Sequence, residues 1–471
     1  MAFLTEAANR GSIATGYEIE NSLKLEADNA EYLYYTPSTQ TDYERMAFSI
    51  WVKRTELGGG NLAEFGNGTS NTSNLRIGFD SSDRLFCYGN SIIFRQTNQV
   101  FRDTSAWYHL FFLFDTTTPG GISNNRIRIW VNGEMIPHTE FGVLNNPGAG
   151  AAMGFNNAIQ QSIGAQREGG PVNYFKGYIA QAYGSGGTPP VVTDFGEFDE
   201  DTGIWKPIDI SELTPPDTAG FNLDFSDSSN LGNDISSRNN DFTLQNITSA
   251  DQATDTPTNN FCTLNPLYKA DATTMTNGAT VCSPTDNGNN TVRGTFLVTK
   301  GKWYWEIAVG RGTVNANYPF MGMTGNLTTA PNLWIYGDSK SFYVSGSGNV
   351  EDAGSYKGSG TAAAYSNGTP NHSIYGFAVD IDNQTLLWYT NGTANNSGNT
   401  YSMSTSIGNS DEGMTPFLFM FVGATQSFNF GGYSVVTPSS AASDANGYGT
   451  FEYAPPSGYY ALCTKNLARF G

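Results

Sequence analysis

The sequence predicts an all-β protein with two β-sandwiches in tandem. Three observations carry that expectation. Seven Asn-Gly dipeptides punctuate the 471 residues, at Asn67, Asn132, Asn277, Asn287, Asn367, Asn391 and Asn446. Asn-Gly is the preferred two-residue hairpin turn, because both central positions of a type I′ turn need φ > 0. Between turns the apolar residues alternate with period two, as in Arg126–Val131, where Ile127, Ile129 and Val131 share one strand face. Aromatic residues reach 13% while charged residues are only 14%, against ~25% in an ordinary soluble domain. That many rings can bury a large core, which argues against disorder. Scarce Glu, Lys and Leu, and no amphipathic stretch beyond two helical turns, argue against a helical bundle.

Taken in order, residues 1–20 read as a small N-terminal arm, with Ala, Gly and Ser where a core needs larger groups. Met1–Glu6 has neither a basic nor an apolar leader segment, so no secretory signal is expected there. From 21 to 185 the strands come regularly, at Phe48–Lys53, Leu75–Phe79, Leu85–Tyr88, Trp107–Asp115, Arg126–Val131 and Phe175–Ala182. Gly184–Pro190 has linker chemistry. It opens an acidic, Asn- and Thr-rich connector with short strands over 186–260, with apolar islands at Phe221–Phe225 and Phe242–Leu244. The second unit, 261–471, has strands at Phe377–Ile381 and Leu386–Tyr389 among others. Both units contain a long apolar strand, a turn, a strand with a ring near its end, and an Asn-Gly hairpin. The first ends at Asn132-Gly133 and the second at Asn391-Gly392. This parallel is the physical reason to expect two related sandwiches.

Several segments also resemble known families. Phe48–Arg54, Trp107–Leu110, Ile129–Gly133 and Phe175–Ala180 resemble laminin-G-like domains of the concanavalin A-like jelly-roll class. Gly301–Glu306, Gly376–Asp380, Leu387–Gly392 and Phe428–Gly432 resemble a SPRY domain. Asp194–Phe198, Phe221–Asp227, Thr256–Phe261 and Pro455–Tyr459 look like the joining pieces of marine tailed-bacteriophage virion proteins. The resemblance implies two concanavalin A-like sandwiches, laminin-G-like then SPRY-like, in a fibre, appendage or decoration component of a virion assembled in the bacterial cytoplasm. It implies other virion proteins and a host-surface glycan or protein as partners. Calcium is common at the rim of laminin-G-like domains, but no clear ligand set stands in this sequence, so no metal is expected.

The chemistry is sparse. A net charge of −19 argues against nucleic acid, which needs clustered cations. No run approaches a membrane span, so no membrane insertion is expected. Glu197-Phe198-Asp199-Glu200-Asp201 approaches the alternating-carboxylate pattern of glucanases. Its last position is the shorter Asp and Thr202-Gly203 follows at once, so a solvated acidic turn is preferred to a hydrolase. His109 lies in an apolar strand and reads as a satisfied core histidine; His138 and His372 sit in turn-like contexts and read as surface. Trp303, Trp305 and Trp388 lie on expected strands and read as core. The loop rings Tyr318, Trp334, Tyr336 and Tyr356 are the candidate ligand-binding residues, since exposed rings can stack on sugar faces. No catalytic residue and no cofactor are expected. Cys87, Cys262, Cys282 and Cys463 are too sparse for a disulfide framework. Reduced thiols are expected, with Cys262–Cys463 the one pairing to test. The reading is thus a non-enzymatic fibre in a homo-oligomer, a trimer by expectation. The alternatives are a capsid-decorating head fibre and a glucanase-class hydrolase.

Overall fold

A computed structural model describes residues 16–471 except 40, 42–43, 67–73, 90, 153, 156–157, 168–169, 310–318, 328–336, 364–372, 411 and 422–424. The described residues divide into two compact units, 16–258 and 259–471. Both are β-sandwiches, and the fold class is all-β as the alternation required.

In the first unit one sheet runs in the order Glu134–Met135, Ile127–Val131, Trp107–Asp115, Arg45–Arg54, Gly177–Gly186, Ser22–Leu25, Gln252–Ala253. The opposing sheet runs Phe141–Leu144, Ile92–Val100, Arg84–Gly89, Leu75–Phe79, Gly60–Phe65, Gln161–Ile163, Tyr32–Tyr35, Thr243–Gln245. Every ladder in both sheets is antiparallel. Period-two alternation turns Phe48, Ile50, Val52, Leu110, Phe112 and Phe114 inward against Leu75, Ile77, Leu85 and Cys87, all buried.

The stretch expected to be a connector is part of this sandwich. Gly184-Ser185-Gly186 belongs to a strand, paired with Phe48, Ala47 and Met46. Phe221–Leu223 adds to the same strand, Thr243–Gln245 pairs with Tyr32–Tyr34, and Gln252–Ala253 pairs with Ser22–Leu23. Its composition misled because Gly184 serves packing: a Cβ there would meet the Phe221 ring at 2.6 Å. Residues 192–213 cover the outer face of the first sheet, where Phe195 and Ile210 pack on Phe111, Leu113 and Tyr183. The acidic residues are counterions. Asp255 pairs with Lys53 at 2.6 Å and Asp251 with Lys24 at 2.6 Å, and both lysines are buried. The arm differs from expectation too. Residues 1–15 lie outside the described residues, but Ile19 exchanges backbone bonds with the Thr258 hydroxyl, and the Tyr17 hydroxyl accepts from Gln181.

In the second unit one sheet runs Leu264–Lys269, Asn290–Gly294, Thr415–Met420, Phe320–Thr324, Ser341–Ser345, Asn349–Asp352, Ser355–Ser359. The other runs Thr273–Thr276, Val281–Pro284, Gln426–Asn429, Lys302–Val309, Ser373–Asp380, Thr385–Thr390, Thr393–Ala394. Trp303, Trp305 and Trp388 are fully buried in the core between them, as expected. The carboxylate of Glu306 accepts from the backbone N–H groups of Glu452 and Tyr453, each at 2.8 Å, and so fastens the C-terminal segment.

The parallel between the units holds at atomic level. Asn132 Oδ1 accepts from the His109 N–H at 2.8 Å, and Asn391 Oδ1 accepts from the Ile374 N–H at 2.8 Å. Both asparagines have φ near +50°, 49° and 48° respectively, as the turn chemistry demands. Each ties its hairpin to the start of the preceding long strand.

Candidate functional site

The strands Leu75–Phe79, Arg84–Gly89 and Ile92–Val100 have an inner face sealed in the core and an outer face that forms the floor of a cavity of about 630 Å³. Because Leu75 and Ile77 point inward, Arg76 and Gly78 point outward. Register then sets the floor: Arg76 faces Tyr88, Tyr88 faces Ile93, Gly78 faces Phe86 and Phe86 faces Gln96. The Arg76 guanidinium lies 4.0 Å from the centre of the Tyr88 ring, an arrangement favoured by the ring quadrupole.

The wall is the Glu56–Gly60 loop. Gly58, Gly59 and Gly60 have φ of 94°, 123° and 131°, a run that other residues would strain to adopt. The loop lies directly on the sheet because Gly78 has no side chain; a Cβ there would sit 2.5 Å from the Gly60 carbonyl. The Asp83 carboxylate anchors it, accepting from the Gly58 N–H at 2.7 Å while paired with Arg54 and Arg102. Opposite stands an amide group: Asn173 Nδ2 donates to Gln166 Oε1 at 2.7 Å, and Asn61 Nδ2 donates to the Asn173 carbonyl at 3.4 Å. Tyr174 completes the rim.

The charges lining the cavity cancel. Two cations, Arg76 and Lys176, stand with two carboxylates, Glu56 and Asp80. Asp80 accepts from Arg84 Nε at 2.9 Å and from Gln96 Nε2 at 2.8 Å. Lys176 lies 3.0 Å from Glu26, 3.1 Å from Asp28 and 3.3 Å from Glu56. Burial works against its charge, but Glu26 and Glu56 outweigh burial and hold the ammonium above the ordinary lysine range. The site therefore offers rings, amides and neutralised ion pairs, which suits a polar, uncharged ligand with apolar faces.

Among the described residues, the cavity lining includes no ring singled out from sequence. Tyr318, Trp334 and Tyr336 lie outside the described residues, as does His372. Tyr356 lies on the edge strand Ser355–Ser359 of the second unit, 61% exposed and opposite Glu351, so it belongs to no part of this cavity. The acidic run begins in the strand Gly196–Phe198 and continues into the hairpin turn that leads to Trp205–Pro207. Asp199 accepts from the Thr202 hydroxyl and N–H, which holds its carboxyl below the usual range, and Lys206 lies 3.3 Å from both Asp199 and Glu197.

His109 is a satisfied core histidine. It is fully buried, and the Trp205 indole N–H donates to its Nδ1 at 3.1 Å. An indole can only donate, so Nε2 carries the proton and donates to Ser49 Oγ at 2.8 Å. That polarity is opposite to the one that activates a serine nucleophile. Burial pushes the imidazole down to about 3. His138 lies in a short turn, as expected, with Nε2 3.2 Å from Asn125 Oδ1.

All four cysteines are free and buried. Phe261 pairs with Cys463 across a β-bridge, so those two side chains share one face while Cys262 points to the other. Cys262 is accordingly in the sandwich core and Cys463 in the outer cluster with Phe261 and Tyr304, which separates the two sulfurs.

Comparison with known proteins gives one family. Residues 28–183 match the Laminin_G_3 model, described as the concanavalin A-like lectin/glucanases superfamily, and this span contains the whole cavity lining. Among solved structures the chain is similar to the SPRY domain of human HERC1, at 12% identity over 35% of this chain and 96% of that one, with a TM-score of 0.28. It is similar to a putative carbohydrate binding protein from Bacteroides ovatus, at 13% identity over 49% and 60%, TM-score 0.30. A third is the CBM40 domain of a Ruminococcus gnavus sialidase bound to sialyllactose, at 16% identity over 35% and 89%, TM-score 0.25. No curated protein matches the chain.

Proposed function

We propose that this chain is a non-enzymatic glycan-binding protein whose first sandwich holds an uncharged sugar in the cavity over Arg76, Phe86 and Tyr88. The observation that carries the reading is the composition of that cavity: rings beside amides, with every lining carboxylate matched by a cation. Rings take the C–H face of a pyranose and the amides of Asn61, Gln166 and Asn173 take its hydroxyls. Its place inside the lectin/glucanase match supports the same class of ligand. The carboxylates support binding without hydrolysis. A glycosidase needs one carboxylic acid kept protonated beside a second carboxylate, whereas Asp80 is paired with Arg84 and Glu56 with Lys176.

The setting we propose is a bacteriophage virion. The order of laminin-G-like, joining and SPRY-like segments along the chain supports a tail or appendage fibre, with host-surface glycans as its target and a homo-oligomer, a trimer, as its working form. Linked copies would multiply weak single-site affinities. Neutral glycans suit a chain of charge −19 better than acidic polysaccharides, which it would repel. The test is an array of neutral and acidic bacterial polysaccharides probed with the full chain and with Tyr88→Ala. Saturable binding to neutral glycans, lost in the variant and without release of reducing sugar, is expected. Reducing-sugar release, or binding unchanged by the substitution, would overturn the proposal.

A further inference from the structure

The Asn-Gly turns differ in one respect that bears on covalent stability. In four of the five described, the asparagine side chain is tied. Asn132 Oδ1 and Asn391 Oδ1 each accept a backbone N–H at 2.8 Å. Asn446 Nδ2 donates to Asn466 at 2.8 Å and its Oδ1 accepts from Arg469 at 3.4 Å. Asn277 Nδ2 donates to Thr276 Oγ1 at 3.4 Å. The fifth, Asn287, is exposed, in the bend between strands Val281–Pro284 and Asn290–Gly294, and its side chain makes no hydrogen bond among the described residues. The following Gly288 N–H points at a carboxylate, donating to Asp286 Oδ1 at 2.8 Å.

We infer that Asn287 is a self-modification site, converted to aspartate and isoaspartate through a cyclic imide formed with Gly288. The backbone nitrogen of Gly288 attacks the side-chain Cγ of Asn287. A C–N bond forms, the Gly288 N–H proton passes by way of the Asp286 carboxylate that already accepts its hydrogen bond to the departing nitrogen, and the Cγ–Nδ2 bond breaks to release that nitrogen as ammonia. Water then opens the imide at either carbonyl. Opening at the side-chain carbonyl gives aspartate; opening at the main-chain carbonyl gives isoaspartate, with an extra backbone methylene. No oxidant or cofactor is required.

Geometry selects this position. Ring closure needs a side chain free to swing onto the next nitrogen and a following residue without a Cβ in the way. The tied asparagines must first surrender a hydrogen bond, which slows them about fivefold or more, and Asn132 and Asn391 are also held in left-handed turn geometry. Conversion at Asn287 adds a negative charge beside Asp286. The inserted methylene would disturb the bonds by which Asn290 Nδ2 holds Gly288 and Asp286.

The experiment is incubation of the full chain at mildly alkaline pH, with peptide mapping by mass spectrometry and isoaspartate detection over time. The same chain unfolded in denaturant serves as the reference. Asn287 should convert at near its unfolded-chain rate, at least about fivefold faster than Asn132 or Asn391. Gly288→Ala should suppress it; the added methyl meets only the Asp286 carboxylate, nearest at 2.9 Å, so folding should survive. Conversion of Asn132 or Asn391 at the rate of Asn287 would overturn the inference. So would an Asn287 that stays intact in the native chain while it converts in the unfolded one.

Discussion

Replacing Lys53 with Met should destabilise the first sandwich severely. Lys53 Nζ lies 2.6 Å from Asp255 Oδ2, with the two side chains 0% and 1% exposed. The other Asp255 oxygen accepts the Trp107 indole N–H at 3.0 Å. An exposed ion pair would be worth only ~0–1 kcal/mol, but here both charges are out of water, so removing Lys53 takes from a buried carboxylate the cation 2.6 Å from it. The expected loss is about 3–5 kcal/mol, a large share of the total stability of a domain. Adding Asp255→Asn should recover much of it, since the amide oxygen can still accept from Trp107 and no charge is stranded. Denaturant titration with peptide-resolved hydrogen exchange reads the first unit separately from the second. A loss below about 1 kcal/mol for Lys53→Met, the value of a surface pair, would refute the claim that residues 250–258 complete this sandwich as counterion donors.

Other outcomes follow from the same structure. Limited proteolysis should leave 205–258 attached to the first unit, and release of that stretch as the earliest product would contradict its strand pairing. His109, held neutral at about 3 against 6.5 in the unfolded chain, should cost stability as pH falls below 6.5, because only the unfolded state then takes up its proton. That slope, up to about 1.4 kcal/mol per pH unit until the folded value is reached, should be absent in His109→Phe. Glu306→Gln removes a carboxylate that accepts from two backbone N–H groups and the Tyr304 hydroxyl. It should cost about 2–3 kcal/mol and speed hydrogen exchange in 439–463 first. Mass spectrometry without reductant should find four free thiols, and a Cys262–Cys463 bridge would contradict the opposed faces. Light scattering should report an oligomer of the full chain; a strict monomer at every concentration would leave only an oligomer imposed by a larger particle.

Much of the fold was legible because strand alternation is a local signal. Leu75–Phe79 is bounded by its alternation, Trp107–Asp115 by its long apolar run, and the Asn-Gly turns at Asn132 and Asn391 by turn chemistry. In 186–260 the short strands are legible but not their place in the first sandwich, because strands of two or three residues carry no periodicity to mark a buried face and the Gly and Asp residues pack against partners far away in sequence. Nothing local reveals that Asp255 answers Lys53. The cavity was missed for a different reason. Rings in turn-rich stretches are the sequence's visible candidates, whereas the floor comes from outward positions of regular strands. The signal was present in Leu75-Arg76-Ile77-Gly78-Phe79, where the polar face pairs an arginine with a glycine, and in Arg84–Gly89, where outward Phe86 and Tyr88 are rings. Register between those strands, which sequence does not give, is what joins them.

The glycan-binding claim is tested most directly by hydrogen exchange of the full chain with and without a saturating neutral oligosaccharide. The account predicts slowed exchange in 56–61, 76–96 and 166–176, absent in Tyr88→Ala. Slowed exchange confined to residues 259–471, or no change at a concentration that saturates binding, would contradict it.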